Sequence, residues 1–339
     1  YTVKDTLSLH DALPICLARS TKGAERLAGL VNAVGRKLST APPPRPEPWR
    51  NCPGWLRERL RLAWGNDRLA AMLEAHLAPP PHDLTLREAG DAGPLAEELG
   101  AMALPSGTLR LPGRPQISAL PGYEAGAWWV QDAAAALPAR MLAPGPGARV
   151  LDLCAAPGGK TLQLAAMGAA VTALDQHEGR MARLRENLAR TGLSAETLVA
   201  DALEWVPHAP FDAILLDAPC SATGTIRRHP ELPHRLRKDD LESLTALQEA
   251  LMDRAWGWLA PGGRMVFATC SILPEEGEER AAAFLAAHPE ARRMPLDPAD
   301  ETLPPGAVTA EGDLRTLPSM LPGIGGLDGF FATCLAKGA

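Results

Sequence analysis

The sequence predicts an α/β protein built on a doubly wound, mostly parallel sheet, preceded by a small α+β domain and a leading helix. Three observations predict it. From residue 149 onward, short apolar runs alternate with helical patterns, which implies parallel strands joined by crossover helices. One run, Val150–Leu153, enters a small-residue turn, Ala155-Ala156-Pro157-Gly158-Gly159, that opens straight into a helical pattern. Four acidic residues, Asp152, Asp175, Asp201 and Asp217, fall at or just past the ends of successive runs. Rossmann-like sheets bind ligands at those carboxyl ends, so the four read as lining a crevice.

Composition bounds the class. The 339 residues are enough for two or three domains of about 100–200 residues. Hydrophobic residues make up 46% and charged residues 22%, which supports a sizeable core. No apolar run approaches the roughly 18 residues of a membrane span, and the start lacks the pattern of a secretory signal. Cys16, Cys52, Cys154, Cys220, Cys270 and Cys334 stand singly, without a CxxC pair. That spacing fits a reducing, cytoplasmic setting, with neither a disulfide framework nor a metal site. A net charge of −6 argues against a protein that coats nucleic acid. It leaves room for local basic faces at Arg45–Arg68 and at Arg227, Arg228, Arg235, Arg237 and Lys238, each equally readable as a solvated helix face.

In chain order, residues 1–15 fit poorly with the rest of the chain. They read as translated adapter sequence joined to a gene fragment, or as a frayed end, and stand outside the fold reading. Leu27, Leu30, Val31, Val34 and Leu38 recur at helical spacing, so residues 17–38 read as one amphipathic helix within a 16–40 segment. Residues 41–48 are a proline-rich linker. Pro53–Trp64 and Asp67–His76 read as two short helices, with Asp67 as N-cap of the second. The Gly- and Pro-rich segments up to residue 126, including Asp83–Arg87, Pro94–Gly100 and Gly107–Leu111, complete a small α+β domain over 49–126. Residues 127–339 form the main domain. Ala127–Val130 reads as a strand feeding an Ala-rich helix. The strands expected next are Arg149–Leu153, Ala170–Leu174, Glu196–Ala200, Phe211–Leu216 and Gly263–Thr269. Between and after them come helices at Thr161–Met167, His177–Arg190, Asp239–Leu259 and Pro274–His288.

The turn after Val150–Leu153 lacks both GxGxxG and GxxxxGK[ST]. Asp175 lies about 20 residues beyond it, where an acidic residue holds a ribose diol. Asp201 falls where the far end of a nucleoside would lie. Lys160 sits at a helix N-terminus, where the dipole disfavours a cation unless an anion answers it. A nucleoside with an amino-acid tail, such as S-adenosylmethionine, suits this set better than a pyrophosphate does. The plain alternative is a tight βα turn with no ligand.

Two cysteines follow adjacent strand ends: Cys220 in Asp217-Ala-Pro-Cys220-Ser-Ala-Thr-Gly224, and Cys270 in Thr269-Cys270-Ser271. A lone free cysteine is more often an inert core residue; two at the ligand-binding edge reverse that preference. With Asp152-Leu-Cys-Ala-Ala-Pro-Gly-Gly-Lys-Thr161, Val130-Gln131-Asp132 and Asp328-Gly-Phe-Phe331, these motifs resemble the RNA (cytosine-C5)-methyltransferases of the RsmB/Sun and NSUN type. The resemblance spans about residues 17–335, and the segment Gly23–Leu38 is similar to the last helix of a NusB-like RNA-binding domain. Two departures are visible: Ala222 where the family usually has Gly, and Gly277 where it often has Asn.

The resemblance implies a class I methyltransferase fold with S-adenosylmethionine held by Cys154, Ala155, Ala156, Pro157, Gly158, Gly159, Lys160, Asp175, Asp201 and Asp217. It implies 16S rRNA as partner, an RNA-binding role for residues 49–126, and a monomer without metal. Cys270 becomes the nucleophile that adds to cytosine carbon-6. Cys220 becomes the residue that releases the product, and Asp217 the one that meets the ring-nitrogen edge. The target base must be unstacked or single-stranded, which gives Arg227, Arg228, Arg235, Arg237 and Lys238 a reason to meet phosphate. Another rRNA or tRNA cytosine, or a non-catalytic RNA-binding assembly factor, are the alternatives. A small-molecule methyltransferase needs no cysteine pair, and a nicotinamide oxidoreductase fits the glycine turn badly.

Overall fold

The computed structural model describes residues 17–40 and 47–338. The leader 1–15, Cys16 and most of the proline-rich linker lie outside the described residues. The chain divides into two compact units, one ending at Arg50 and the other beginning at Asn51.

In the first unit, the single helix expected over 17–38 is broken. Residues 17–20 are helical, a turn comes next, and a helix resumes over Ala28–Thr40 after a 3-10 turn at Glu25–Leu27. Gly23 explains the break, since its φ of +87° lies outside helical space. Leu27, Leu30, Val34 and Leu38 remain exposed.

The second unit opens with Gly54–Ala75, which is two helices across a kink at Gly65, φ 75° and ψ 171°. This matches the expected pair. Leu56, Leu60, Leu69, Met72 and Leu73 are its buried residues. They pack against Ile272 and Leu273, just beyond the second cysteine motif, and against Leu317. Next comes a four-stranded antiparallel sheet in the order β2-β3-β1-β4. Its strands are β1 (Asp83–Leu86), β2 (Met102–Ala103), β3 (Leu109–Arg110) and β4 (Trp128–Val130). The strand expected at 127–130 is the edge strand of this small sheet. Leu84, Leu109 and Trp128 bury together beneath a helix at Ala92–Leu99, and Trp128 has its indole N–H on the Pro121 carbonyl.

The main sheet has eight strands: β5 (Arg149–Leu153), β6 (Ala170–Asp175), β7 (Glu196–Val199), β8 (Phe211–Asp217), β9 (Leu259–Thr269), β10 (Ala291–Arg293), β11 (Leu314–Thr316) and β12 (Phe330–Lys337). Their order is β10-β12-β9-β8-β5-β6-β7, with β11 also on β12. Strands β5 to β9 run parallel, while β10, β11 and β12 pair antiparallel. The expected strands all appear, with β9 reaching back to Leu259. The run from Pro274 is not one helix: Gly277 separates a 3-10 turn, Pro274–Glu276, from a helix over Glu278–Ala287.

Both faces of the sheet are covered, so its strands are apolar nearly throughout. Leu151, Leu153, Ile214, Leu216 and Phe267 face one layer, with Trp256 and Phe284. Val150, Leu215, Val266 and Ala332 face the other, with Leu142 and Leu164. The alternation along each strand is the two-residue side-chain period. Strand order reverses beside β5, where β6 lies on one side and β8 on the other. Crevices open at such switch points, beyond the carboxyl ends of the strands.

Candidate active site

The glycine turn leaves β5 at the switch point. Cys154 takes left-handed backbone, φ 59°, the Ala156–Pro157 peptide is cis, and Gly158 has φ 108°. A Cβ at Gly158 would stand 2.8 Å from Leu184 Cγ, so only glycine fits there. The following helix, Gly159–Ala166, is locked from below: Thr161 Oγ1 donates to Asp152 Oδ2 at 2.6 Å. Asp152 is completely buried, so it supports the turn from beneath and does not line the crevice as expected from sequence. Burial pushes its carboxyl up to about 7 despite the Thr161 hydrogen bond.

A cleft beside this turn is lined by Cys154, Asp175, His177, Asp201, Pro219 and Leu251, among others. Asp175 is only 3% exposed. Its Oδ2 accepts the Ala156 amide at 3.1 Å and its Oδ1 the His177 amide at 2.9 Å. Asp175 is thereby tied to both the glycine turn and the next helix. Asp201, at the rim, accepts the Leu203 amide at 2.8 Å. A buried carboxylate at the end of β6 and an exposed one just past β7 line one cleft beside the glycine turn, which suits a nucleoside with a polar tail, so S-adenosylmethionine fits these residues. The Cys154 thiol in this cleft is pushed up to about 12, first by burial and then by the carboxylates of Asp217 and Asp175. That leaves it an unreactive packing residue.

Lys160 does not wait for a ligand carboxylate, as its helix-terminal position suggested. Its Nζ lies 2.7 Å from Asp217 Oδ2 and 5.2 Å from the centre of the Phe330 ring. Burial works against the ammonium, yet the Asp217 carboxylate outweighs it and holds the Lys160 pKa above its ordinary value.

Beyond Asp217 the chain turns back toward β9. Cys220 Sγ and Cys270 Sγ stand 3.4 Å apart. The backbones carrying them are joined directly: the Gly224 amide donates to the Cys270 carbonyl at 2.9 Å, and the Gly329 amide donates to the Gly224 carbonyl at 2.9 Å. A Cβ on Gly224 would come within 1.9 Å of the Gly329 carbonyl, so the contact needs glycine. The Cys220 thiol is raised well above its usual range, first by its hydrogen bond with Cys270 and then by burial. Cys270 packs against an apolar patch of Leu104, Ala133, Leu327 and Phe330.

Two expected phosphate contacts are committed elsewhere. Arg228 Nη2 lies 2.7 Å from Asp132 and its Nε 2.6 Å from Asp328. Arg227 is buried and donates to the Gly325 carbonyl at 2.6 Å, with Asp328 at 3.5 Å. These arginines staple the segment after Cys220 to the Asp328 motif and to Asp132. Buried carboxylates need partners, and that need absorbs the cations. Arg235, Arg237 and Lys238 remain exposed.

The two departures have physical accounts. Ala222 has φ 53° and ψ 23°, left-handed space that glycine enters without cost. A Cβ on Gly277 would stand 2.4 Å from Arg315 Nη2, so glycine leaves room for that guanidinium.

Comparison with known proteins fits this geometry. The family model of the 16S rRNA methyltransferases RsmB/F matches residues 139–336, which hold the whole crevice and both cysteines. The chain belongs to the RsmB/F family. It is 40% identical over 299 residues to the ribosomal RNA small subunit methyltransferase B of Cronobacter sakazakii, covering 84% of this chain and 66% of that protein. It is 37% identical over 340 residues to the protein of the same name from Vibrio cholerae, covering 94% of this chain and 74% of that one. A methyltransferase homolog from Pyrococcus horikoshii superposes with a TM-score of 0.68 at 28% identity, over 83% of this chain and 93% of its own. The RsmB/F chain thus spans roughly two thirds to three quarters of these curated relatives. Its fold is that of S-adenosylmethionine-dependent methyltransferases, its class RNA methyltransferase, and its cofactor S-adenosylmethionine.

Sequence reading passed over the residues beneath the cysteines. Ser221, Gln248 and Glu276 are buried there and mutually hydrogen-bonded. The signal that could have found them was Glu276 itself, an acidic residue in a run flanked by apolar positions.

Proposed function

We propose that this chain methylates carbon-5 of a cytosine in 16S rRNA through a transient bond between Cys270 and the base. The observation that carries the reading is the pair of thiols 3.4 Å apart at the ends of β8 and β9, beside the cofactor cleft. Methylation at a ring nitrogen or an exocyclic group has no use for such a pair.

Cytosine carbon-5 is a poor nucleophile. The Cys270 thiolate adds to carbon-6, forming an S–C bond and moving an electron pair toward carbon-5. Asp217 meets the ring-nitrogen edge, and Lys160 holds Asp217 in place. S-adenosylmethionine, when bound, offers its methyl group to the activated carbon. Cys220, after giving its own proton to solvent, takes the carbon-5 proton as thiolate, the carbon-5–carbon-6 double bond re-forms, and the S–C bond breaks to return the Cys270 thiolate. A thiol of raised pKa is a strong base once ionised and keeps the proton it takes. Asp175 and Asp201 hold the cofactor's nucleoside. The exposed Arg235, Arg237 and Lys238 bring phosphate to the rim, and Phe330 with its apolar neighbours receives the unstacked base.

Bisulfite sequencing of 16S rRNA from cells with and without the protein tests the target, and Cys270→Ala tests the chemistry. The variant should lose methylation while binding S-adenosylmethionine normally by titration. Retained turnover would exclude Cys270 as nucleophile.

A further inference from the structure

The two thiol loops share one buried anchor. Glu276, fully buried in the turn after Cys270, reaches across to the loop of Cys220. Its Oε1 accepts the Ser221 amide at 2.8 Å and Gln248 Nε2 at 3.1 Å, and its Oε2 accepts Ser221 Oγ at 2.5 Å. Gln248 also donates to the Pro219 carbonyl at 2.9 Å. Both chain neighbours of Cys220 are therefore held through one carboxylate.

The same carboxylate's residue holds the other thiol. Thr269 Oγ1 donates to the Glu276 carbonyl at 2.9 Å. Ser271 Oγ lies 3.2 Å from Ser221 Oγ and 3.1 Å from Thr223 Oγ1. Thr269 and Ser271 flank Cys270 as Pro219 and Ser221 flank Cys220. Every side chain in this network is buried, and buried polar groups that satisfy one another impose a single geometry.

We infer that Glu276 is the positioning residue of the thiol pair, setting where Cys220 stands relative to the base on Cys270, and so governing release of the methylated product rather than attack. It touches neither the base nor the cofactor and acts through Ser221 and Gln248. The inference rests on the release role of Cys220 proposed above.

The test uses the full chain with 16S rRNA and follows two readouts, the covalent enzyme–RNA adduct on a denaturing gel and methylated product. Cys220→Ala serves as the reference for blocked release. Glu276→Ala should slow release about tenfold, the scale of losing charge-assisted hydrogen bonds, so that adduct accumulates. Glu276→Gln, which keeps acceptor and shape, should release product nearly as the parent does. Ser221→Ala, a smaller change less prone to unfold the chain, should accumulate adduct to a lesser degree. An RNA-independent readout is capture of phenylarsine oxide, whose arsenic bonds two neighbouring thiols with loss of water. By intact mass, Glu276→Ala should capture it several-fold more slowly than the parent, and Glu276→Gln should not. If Cys220→Ala traps adduct while Glu276→Ala and Ser221→Ala release product at the parent rate, the positioning role is overturned and the release role stands. If Cys220→Ala traps none, the release role fails and takes this inference with it. A Glu276→Ala chain that loses adduct and product together, with unchanged arsenical capture, also overturns it.

Discussion

Cys220 and Cys270 come from different strand ends, 50 positions apart in sequence, yet their sulfurs are 3.4 Å from each other. The Gly224 amide on the Cys270 carbonyl joins the two loops directly. Under the proposed mechanism Cys220 releases the product and Cys270 attacks. Removing the first should leave attack intact. Cys220→Ala is expected to form a covalent complex with RNA that survives denaturation, and a gel without a shifted band would remove Cys220 from the release step.

Asp175 accepts two backbone amides and faces the cofactor cleft. Replacing it with alanine removes a charged partner and leaves both amides unmatched. Affinity for S-adenosylmethionine should fall about 10- to 100-fold, the range for charge-assisted hydrogen bonds. Calorimetric titration measures this, and an unchanged dissociation constant would take Asp175 out of the ribose site.

Arg228 bridges Asp132 and Asp328, both nearly buried. Arg228→Ala leaves Asp132 without its cation and Asp328 with Arg227 alone at 3.5 Å, and breaking a buried pair costs about 3–5 kcal/mol of stability. The variant should melt several degrees lower. Its loss of RNA affinity should be smaller than that of a combined Arg235→Ala and Arg237→Ala change, whose side chains are exposed. The opposite ranking in a filter-binding assay at fixed salt would show Arg228 to be a phosphate contact.

Ala222 holds a left-handed conformation that costs an L-residue about 1 kcal/mol. Ala222→Gly should therefore stabilise the chain slightly and leave turnover unchanged. A lower melting temperature would mean that the Ala222 methyl contributes packing that outweighs the strain.

Asp152 gives a pH dependence with a definite sign. Its carboxyl is raised in the folded chain to about 7 from an ordinary 3.8. A group raised on folding stabilises fully below its unfolded pKa, and that contribution is lost as pH rises through the folded one. Asp152→Asn removes the titration. Its advantage in melting temperature over the parent should grow between pH 4 and pH 7 and then level off. A difference independent of pH would show that Asp152 is already ionised in the fold.

Much of the molecule could be read without coordinates. Apolar runs alternating with helices are local patterns, and they located the parallel strands to within a few residues because each must bury both faces. The glycine turn and the acidic strand ends were legible for the same reason, since backbone sterics and strand direction confine them. The leading helix is shorter than expected because the helical spacing runs only from Leu27 to Leu38, and Gly23 breaks the backbone ahead of it. Strand β4 was legible as a strand, but its partner β1 lies far away in sequence, so its place in the small sheet was not legible. Strands β10 to β12 carry little local signal apart from the Asp328-Gly-Phe-Phe331 motif.

Tertiary structure decided what each charge does. Sequence alone placed Lys160 and Asp217 at strand and helix ends, and only the fold makes them a 2.7 Å pair. It spends Arg227 and Arg228 on buried carboxylates, sinks Asp152 beneath the turn it was expected to line, and brings Glu276 under both cysteines. The reason is physical: strand and helix tendencies are set by neighbours in the chain, whereas the partner of a buried charge is whatever the packing of distant segments places beside it.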